Sequence, residues 1–453
     1  DTKTVADGVH KIKVIAKDKE GNSQDLELSV TVKNIFFTFK IASDYLVDQY
    51  EGWIIVSRED GSPIDYKKMV NGETLNFFYP DDHTADSKYS FTRIEHSSSP
   101  GFLRYFVFAY IDVRPGDYSL DEFRFFLGSV IGLHSQRIDN ITDDRGTLYY
   151  GSYGSGANFN QVTFDGIDPS VSLSSYLRQI PSNLIYYIFK GGGEGRYVHQ
   201  PMAVSGVQNV IDYADMTPMD FTEYDFTGAV ESQIGVSFLT EAGDYNRSRL
   251  AFILSGVPDP NKLYAAIPDQ GFPEYVSTIS YYTATETNSY TYAGTGLPSE
   301  FKEVGGTITS FSSDNNILNV QTTGSYDYFS ANAINLNDDP AEYGFILNVA
   351  MDRTKTSNVA IPQIPSEIKD EHPELASHVF QFTNSYLVDN SGMQNLQDFV
   401  DVRFVKNENQ LVGSKERRFQ TITLPDAGGR KKPEIDEYTK KLISNQLDNL
   451  PRH

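Results

Sequence analysis

Three short motifs contain the residue types that a serine nucleophile and its activating base would need. Ser299–Lys302 has the form S-x-x-K, Ser313–Asn315 reads S-D-N, and Lys355–Ser357 approximates K-T-G. In acyl-transfer enzymes with this set, the lysine or a nearby acid takes the serine proton. The serine should open a long buried helix, whereas the glycine-rich, strand-like segment 304–309 follows here. The motifs therefore do not favour a serine hydrolase, and we expect no catalytic residue among them.

Patterns for phosphate and metal binding are also incomplete. Gly191–Gly195 forms a glycine-rich stretch but lacks the G-K-[ST] ending of a phosphate-binding loop. Only His372 and His378 lie close together among the eight histidines, with a proline between them, which does not favour zinc. Acidic clusters at 81–86 and 143–144 contain oxygen ligands but follow no EF-hand pattern. We therefore expect no metal site and no cofactor.

Tyrosines beside glycine and serine are the remaining candidates for ligand binding. Tyr149, Tyr150 and Tyr153 lie in a loop-like stretch, and segments 290–292 and 326–329 are similar. Exposed rings of this kind bind sugars, because pyranose C–H faces pack on π faces while Asp and Asn bind hydroxyls. We expect the first three to contact a glycan if one is bound. Tyrosines also pack the corners of β-sandwiches, so a packing role stays open.

Composition indicates the class of protein that would position these residues. The chain has 453 residues, too many for one core, with 29 Tyr and 29 Phe, an enrichment that favours strands. The net charge of −23 argues against nucleic acid and anionic membranes as partners. The absence of cysteine excludes disulfides, thiolate zinc sites and cysteine nucleophiles. A secreted protein without disulfides suits bacterial export.

Residues 7–34 alternate between apolar and mostly polar side chains in two runs, 11–17 and 26–33. Between them, Asp18 and Gly21 suit a tight turn, so the sequence predicts a half-buried hairpin. The segment resembles the end of bacterial immunoglobulin-like modules, in which D-x-x-G-N forms the turn. The resemblance implies that residues 1–34 are the remnant of such a domain, whose upstream part linked the chain to an anchor.

Residues 35–130 are predicted to form a β-sandwich. A turn at Asp60-Gly61 follows the apolar run Trp53–Val56, which predicts a core strand, and another turn lies at Asn71-Gly72. The segment 113–120 reads strand, Pro-Gly, then Tyr-x-Leu. This segment and the turn sequence E-D-G-S-P-I at 59–64 resemble those of carboxypeptidase-regulatory-like sandwiches. The resemblance implies an attached, non-catalytic module.

Two further β-rich domains are predicted at 131–256 and 262–425, separated by a linker at 258–261. Strand-like runs include 184–189, 234–239 and 250–254, and a late strand is predicted at Phe399–Phe404. Residues 433–450 show an apolar stripe at helical spacing with acids in the first turn, which predicts a C-terminal helix. That helix either caps the last sandwich or docks a partner.

These observations predict an all-β protein, with several β-sandwich domains in tandem and a short C-terminal helix. The whole resembles modular surface lipoproteins of Gram-negative bacteria. The resemblance implies a non-catalytic binding or accessory protein, secreted or on the outer face of the outer membrane, with any lipid anchor outside this chain. Its partner would be a glycan or an outer-membrane protein. An extracellular glycoside hydrolase with appended sandwiches stays open, because 61 acids offer many carboxylate pairs.

Overall fold

The computed structural model describes most of the chain. The described residues are 5, 8–46, 50–84, 86–99, 102–121, 130–141, 146–153, 158–164, 170–178, 183–190, 194–201, 208–239, 242–243, 245, 249–255, 259–267, 272–314, 316–335, 344–355, 357–377, 380–406 and 408–423. Strands make up 59% of the structure and helices 9%, which confirms the predicted all-β class.

The strands in the described residues follow one another along the whole chain. They are β1 Gly8–Lys17, β2 Ser23–Val32, β3 Ile35–Ile41, β4 Tyr50–Arg58, β5 Pro63–Lys68, β6 Thr74–Phe78, β7 Tyr89–Ser99, β8 Phe102–Val113, β9 Gly116–Leu120, β10 Val130–Asp139, β11 Gly146–Tyr153, β12 Asn158–Phe164, β13 Val171–Arg178, β14 Asn183–Lys190, β15 Glu194–Pro201, β16 Gln208–Asp212, β17 Thr217–Pro218, β18 Phe221–Asp225, β19 Glu231–Leu239, β20 Arg249–Ser255, β21 Lys262–Ala266, β22 Glu274–Tyr282, β23 Glu286–Gly294, β24 Gly305–Asp314, β25 Ile317–Ser325, β26 Tyr328–Asn335, β27 Gly344–Asp352, β28 Val359–Ala360, β29 Asn384–Asn390 and β30 Glu416–Thr423. The runs at 184–189, 234–239 and 250–254 are strands, as predicted.

Helices in the described residues are short and lie mostly in the last quarter of the chain. They are α1 Ser366–Glu371, α2 Pro373–Ser377, α3 Leu396–Val400 and α4 Gln410–Gly413, with a 3-10 turn at Tyr213–Asp215 and a π-helical turn at Asp401–Val405. None of them combines the length and the apolar character needed to cross a bilayer. The helix predicted at 433–450 lies outside the described residues.

One large sheet runs through most of the described chain. Its strand order is β20-β19-β22-β23-β30-β29-β26-β27-β8-β7-β4-β5. Neighbours pair antiparallel except β8 and β27, which pair in parallel with Tyr110 opposite Ala350. Strands from the predicted segments 35–130, 131–256 and 262–425 therefore share this sheet. The division into tandem domains stays a prediction.

Smaller sheets accompany the large one, which gives a layered, sandwich-like arrangement. Within the described residues they are β1-β2, β13-β10-β16, β12-β11-β14-β15-β17, β18-β21, β24-β25-β28 and β6-β3-β9.

Both faces of the large sheet are buried at strand β4. Ile54 and Val56 belong to a core with Phe37 and Phe39 of the sheet β6-β3-β9. Trp53 and Ile55 belong to a second core with Leu318 and Val320 of β25, Ile368 of α1 and Leu375 of α2. Burial on both faces explains the unbroken apolar run at 53–56. The prediction that Trp53 sits in a core strand is confirmed.

The segment Phe399–Phe404, predicted as a strand, is instead helical. It spans the end of α3 and the π-helical turn. Asn395 caps this helix, because its side chain accepts a hydrogen bond from the Asp398 N–H at 3.0 Å. Leu396, Val400 and Phe404 are buried at intervals of four residues, the spacing of one helix face. The strand prediction followed a short two-residue alternation and missed this longer helical period.

Candidate functional site

The predicted glycan-binding tyrosines lie on a strand rather than in a loop. Tyr149, Tyr150 and Tyr153 all belong to β11, which pairs with β12 and β14. Glycines and serines in this stretch therefore do not mark a loop, because the backbone is held by pairing on both sides. The side chains of these tyrosines lie outside the described part of the structure, so their role as ligand-binding residues stays a prediction.

The other tyrosine-rich segments are largely buried. Tyr290, Tyr326 and Tyr328 are each less than 5% exposed. Phe329 is also buried, in the core that contains Trp53. These rings pack the protein interior, so the expectation that they resemble an exposed sugar-binding surface is wrong for them. Alternation and turn residues in the sequence mark strands, but they do not tell which face of a strand meets solvent.

The lysines of the serine motifs have separate carboxylate partners. Lys302 Nζ lies 2.8 Å from Glu416 Oε1, while Lys355 Nζ lies 2.8 Å from Glu59 Oε1 and 3.2 Å from Asp112 Oδ2. The two amines are therefore held in separate ion pairs. Several other residues that the sequence singled out lie outside the described residues, namely Asp143, Asp144, Gly191–193, Asn315 and His378.

The structure brings together a cluster of titratable residues that are far apart in the sequence. Glu51 lies on β4 directly opposite His96 on β7. His372 follows α1 and precedes α2, which places its imidazole beside the same carboxylate. Both histidines are buried and Glu51 is partly buried. We call Glu51, His96 and His372 the histidine–glutamate cluster.

Two imidazole nitrogens converge on one carboxylate oxygen. His96 Nδ1 lies 2.9 Å from Glu51 Oε1, and His372 Nε2 lies 3.5 Å from the same oxygen. Lys68 Nζ lies 2.6 Å from the other carboxylate oxygen, Oε2. The three converging side chains each offer one ligand atom, and these atoms lie within 4.8 Å of one another.

A second layer of residues orients His372. Its Nδ1 lies 2.8 Å from the Tyr105 hydroxyl oxygen and 3.6 Å from Glu374 Oε1. The Tyr105 hydroxyl donates to Glu374 Oε1. Helix α2 begins directly after His372 and contains Glu374 in its first turn, which brings the Glu374 side chain close to His372.

Aromatic rings surround the cluster and fix the planes of its imidazoles. The Trp53 ring meets His372 edge to face, with centroids 4.9 Å apart. Tyr105 stacks on His96 at 4.4 Å, and Phe345 stacks on Tyr105 at 5.4 Å. These contacts belong to the buried core of the second face of the large sheet. The imidazoles therefore cannot rotate without displacing large rings.

The charge states within the cluster follow from burial and hydrogen bonding. Burial opposes ionisation of Glu51, but hydrogen bonds from Lys68 and His96 outweigh it, so the pKa of Glu51 lies below its usual range. Burial lowers the pKa of His96, although the Glu51 carboxylate works against this effect. The cluster therefore contains an ionised carboxylate and a His96 imidazole that favours the neutral form.

The sequence prediction of no metal site rested on histidines that are close in the chain. Glu51, His96 and His372 come from three separate elements, so no local spacing connects them. The weak signals present in the sequence are the position of Glu51 next to the core run 53–56 and the proline after His372, which starts a helix. Neither signal shows which residues would meet.

A second surface of interest is the hairpin β1-β2, whose turn is capped as predicted. Asp18 Oδ1 accepts hydrogen bonds from the N–H groups of Glu20 and Asn22, and Gly21 has a φ of +88°. The strands pair so that one face is apolar and the other carries Lys11–Glu27 and Lys13–Asp25 ion pairs at 2.5 Å.

The apolar face of this hairpin is open to solvent rather than half-buried. We define the hairpin apolar face as five aliphatic residues, of which 38–57% is exposed, namely Ile12, Val14, Leu26, Leu28 and Val30. The predicted alternation is correct. The described part of the chain leaves this face exposed, so its burial within an immunoglobulin-like domain stays a prediction.

Comparison with known families and with curated proteins gave no match for this chain, either to a family model or to an individual protein.

Proposed function

We propose that this chain is a non-catalytic binding or accessory protein of a bacterial cell surface, acting as a component of an outer-membrane complex. The observation that carries the proposal is the exposed hairpin apolar face. Contiguous apolar surface that remains open to water marks a site of protein–protein contact. The occupant we propose is a partner protein that presents an apolar sheet face.

Energetics support a covered hairpin. A two-stranded hairpin is at best marginally stable by itself in water. The ion pairs on its polar face are solvent-exposed, and such pairs contribute roughly 0–1 kcal/mol each. Burial of a half-exposed aliphatic side chain contributes roughly 1 kcal/mol, so covering the five residues would supply several kcal/mol. Contact with a partner would thus add stability that the exposed face does not supply.

The shape of the face favours another sheet as its occupant. Residues 12, 14, 26, 28 and 30 form two short rows on adjacent antiparallel strands, with Ile12 opposite Leu28 and Val14 opposite Leu26. Such rows interdigitate with the side chains of a second sheet about 10 Å away. Immunoglobulin-like modules, which this segment resembles, pack two sheets face to face in this geometry.

The glycoside hydrolase alternative receives no specific support from the described carboxyl groups. Such enzymes need two carboxyl groups across a cleft, one of them with a raised pKa. Burial raises the pKa of Asp327 to about 6, but this side chain is almost fully buried and accepts hydrogen bonds from Asn390. The pKa values of Glu51 and Glu374 are both lowered, despite the opposing effect of burial.

A pair of adjacent substitutions tests the proposal. Leu28→Asp places a charge on the hairpin apolar face, whereas Ser29→Asp places it on the opposite face of the same strand. Outer-membrane vesicles of the bacterium that encodes the chain serve as the probe. We expect wild type and Ser29→Asp to cross-link through the hairpin to one defined membrane protein, and Leu28→Asp to lose this at least tenfold.

Three outcomes would count against the proposal. Equal cross-linking by the two variants would show that the hairpin apolar face is not the contact. Binding to a glycan array by both variants, without any protein partner, would favour the glycan-binding alternative. Release of sugar from a polysaccharide would favour the hydrolase. The melting temperatures of the isolated variants should match wild type, which shows that loss of the cross-link is not loss of the fold.

A further inference from the structure

We propose that Glu51, His96 and His372 form a binding site for a zinc-class divalent cation. This inference is independent of the proposed partner binding, since Glu51 and His96 belong to β4 and β7 and not to the hairpin. Two imidazole nitrogens and a carboxylate oxygen are the donor set that zinc and neighbouring first-row metals prefer. Magnesium and calcium prefer sites made of oxygen alone.

The hydrogen bonds around His372 determine which nitrogen faces the cluster. Tyr105 donates its proton to Glu374, so its oxygen accepts from His372 Nδ1–H at 2.8 Å. His372 therefore directs Nε2 at the cluster, where this nitrogen lies 3.5 Å from Glu51 Oε1. A metal ion held by Glu51 Oε1 would be within reach of His372 Nε2.

The outer layer has the form that metal-binding histidines require. In metal sites, the second imidazole nitrogen usually donates to a carboxylate or a polar oxygen, which fixes the tautomer and raises the basicity of the ligand. Tyr105 and Glu374 supply this arrangement for His372. Trp53 and Tyr105 hold the two rings from the sides, at centroid distances of 4.9 and 4.4 Å.

The two oxygens of Glu51 have separate roles. Lys68 contacts Oε2 at 2.6 Å, which leaves Oε1 directed at the imidazoles. The Lys68 side chain is about half exposed, so it can move outward when a divalent cation arrives. Glu374 adds a second negative charge beside His372 and offsets the charge of the metal.

The three ligands come from parts of the chain that are far apart in sequence, so a bound metal would link these parts. Glu51 and His96 belong to paired strands, whereas His372 belongs to the connection between α1 and α2, far along the chain. A cation shared by all three would tie this helical connection to the sheet. Because the folded state binds the metal and the unfolded chain does not hold the three ligands together, metal should stabilise the fold.

Direct metal binding tests the proposal. The chelator-treated full chain is titrated with Co²⁺, which gives visible d–d absorption in a site of this type, and zinc content is measured after dialysis against Zn²⁺. We expect one ion per chain, a rise in melting temperature, and displacement of Co²⁺ by Zn²⁺. Glu51→Gln and His372→Gln should each weaken binding at least about tenfold, as loss of even an outer-layer partner commonly does.

A matched control and a folding check complete the design. His83 lies away from the cluster, stacked on Tyr79, so His83→Gln should bind metal like wild type. Far-ultraviolet circular dichroism reports whether each variant folds. Wild-type protein that retains no stoichiometric ion would overturn the proposal even if both cluster variants fail to fold. Equal metal binding by wild type and folded cluster variants would also overturn it.

Discussion

Glu51 and His96 face each other across paired strands β4 and β7, and the Glu51 carboxylate lies 2.9 Å from His96 Nδ1. Strand pairing alone produces this contact, since directly opposite residues in an antiparallel pair share one face of the sheet. The position of His372 has a different origin, because the turn between α1 and α2 carries it to the same face. The cluster therefore depends on tertiary packing as well as on local register.

Two adjacent phenylalanines on β6 should respond very differently to truncation. Phe77 is fully buried in a core cluster, whereas Phe78 is 41% exposed. We expect Phe77→Ala to lower the free energy of unfolding by about 3–5 kcal/mol, because it leaves a cavity. Phe78→Ala should cost less than about 1 kcal/mol. Urea denaturation followed by circular dichroism measures both, and similar midpoints would contradict the assigned faces of β6.

Two glycines with nearly the same backbone conformation should also differ. Gly61 and Gly72 have φ values of +81° and +80°. A Cβ at Gly61 would lie 2.7 Å from the Ile361 carbonyl oxygen, whereas one at Gly72 would meet nothing within 4 Å. Gly72→Ala should cost about 1–2 kcal/mol from the left-handed conformation alone. Gly61→Ala should cost clearly more in the same thermal denaturation assay, and an equal loss would show that residues 61 and 361 are not in contact.

Asp327 should make stability depend on pH. Burial raises its folded-state pKa to about 6, although hydrogen bonds from Asn390 oppose the shift. In the unfolded chain this carboxyl has the ordinary aspartate pKa of 3.8. Between these values the folded state holds more protons, so the free energy of unfolding falls as pH rises through this window, by roughly 1–3 kcal/mol.

Asp327→Asn checks this pH dependence. Asparagine keeps an acceptor for the Asn390 N–H, which lies 2.6 Å from Asp327 Oδ2, but it does not titrate. The difference in unfolding free energy between variant and wild type should therefore grow in favour of the variant from pH 4 to pH 6. Parallel stability curves for the two proteins across that window would refute the raised pKa.

The helix that replaces the predicted strand at 399–404 should depend on its cap. Asn395→Ala removes the acceptor for the Asp398 N–H, and the loss of such a cap costs about 1 kcal/mol. Asn395→Ser should recover most of the stability, because serine is an equally good cap. Chemical denaturation measures the free energy of unfolding of the three proteins. An alanine variant as stable as wild type would show that the Asn395 cap does not stabilise this helix.

Much of the fold could be predicted from sequence because strand patterns are local. The runs at 53–56, 184–189 and 234–239 are strands, and the turns at Gly21, Gly61 and Gly72 have the positive φ that glycine allows. The sequence could not show that β8 pairs with β27, because pairing partners are chosen by packing across the whole chain. Nor could it show that the apolar face of the first hairpin stays exposed.

The candidate sites were less predictable than the fold. Histidine spacing drew attention to His372 and His378, whereas the structure places His372 with His96 and Glu51. Tyr326 and Tyr328 lie beside turn-forming residues in sequence but inside the core in space. Which residues meet, and which side chains are buried, depends on how distant segments pack together. A single sequence determines that packing only through the complete fold.

The parallel pairing of β8 with β27 has a consequence for how the chain folds. Tyr110 pairs with Ala350, so β8 cannot acquire this neighbour until β27, far later in the sequence, has been synthesised. Pairing between strands so far apart in the sequence slows folding. Until β27 pairs with β8, the exposed edge of β8 can pair with another chain and lead to aggregation. We expect refolding from denaturant to be slow and dependent on concentration. A holding chaperone that covers residues 102–113 should raise the yield.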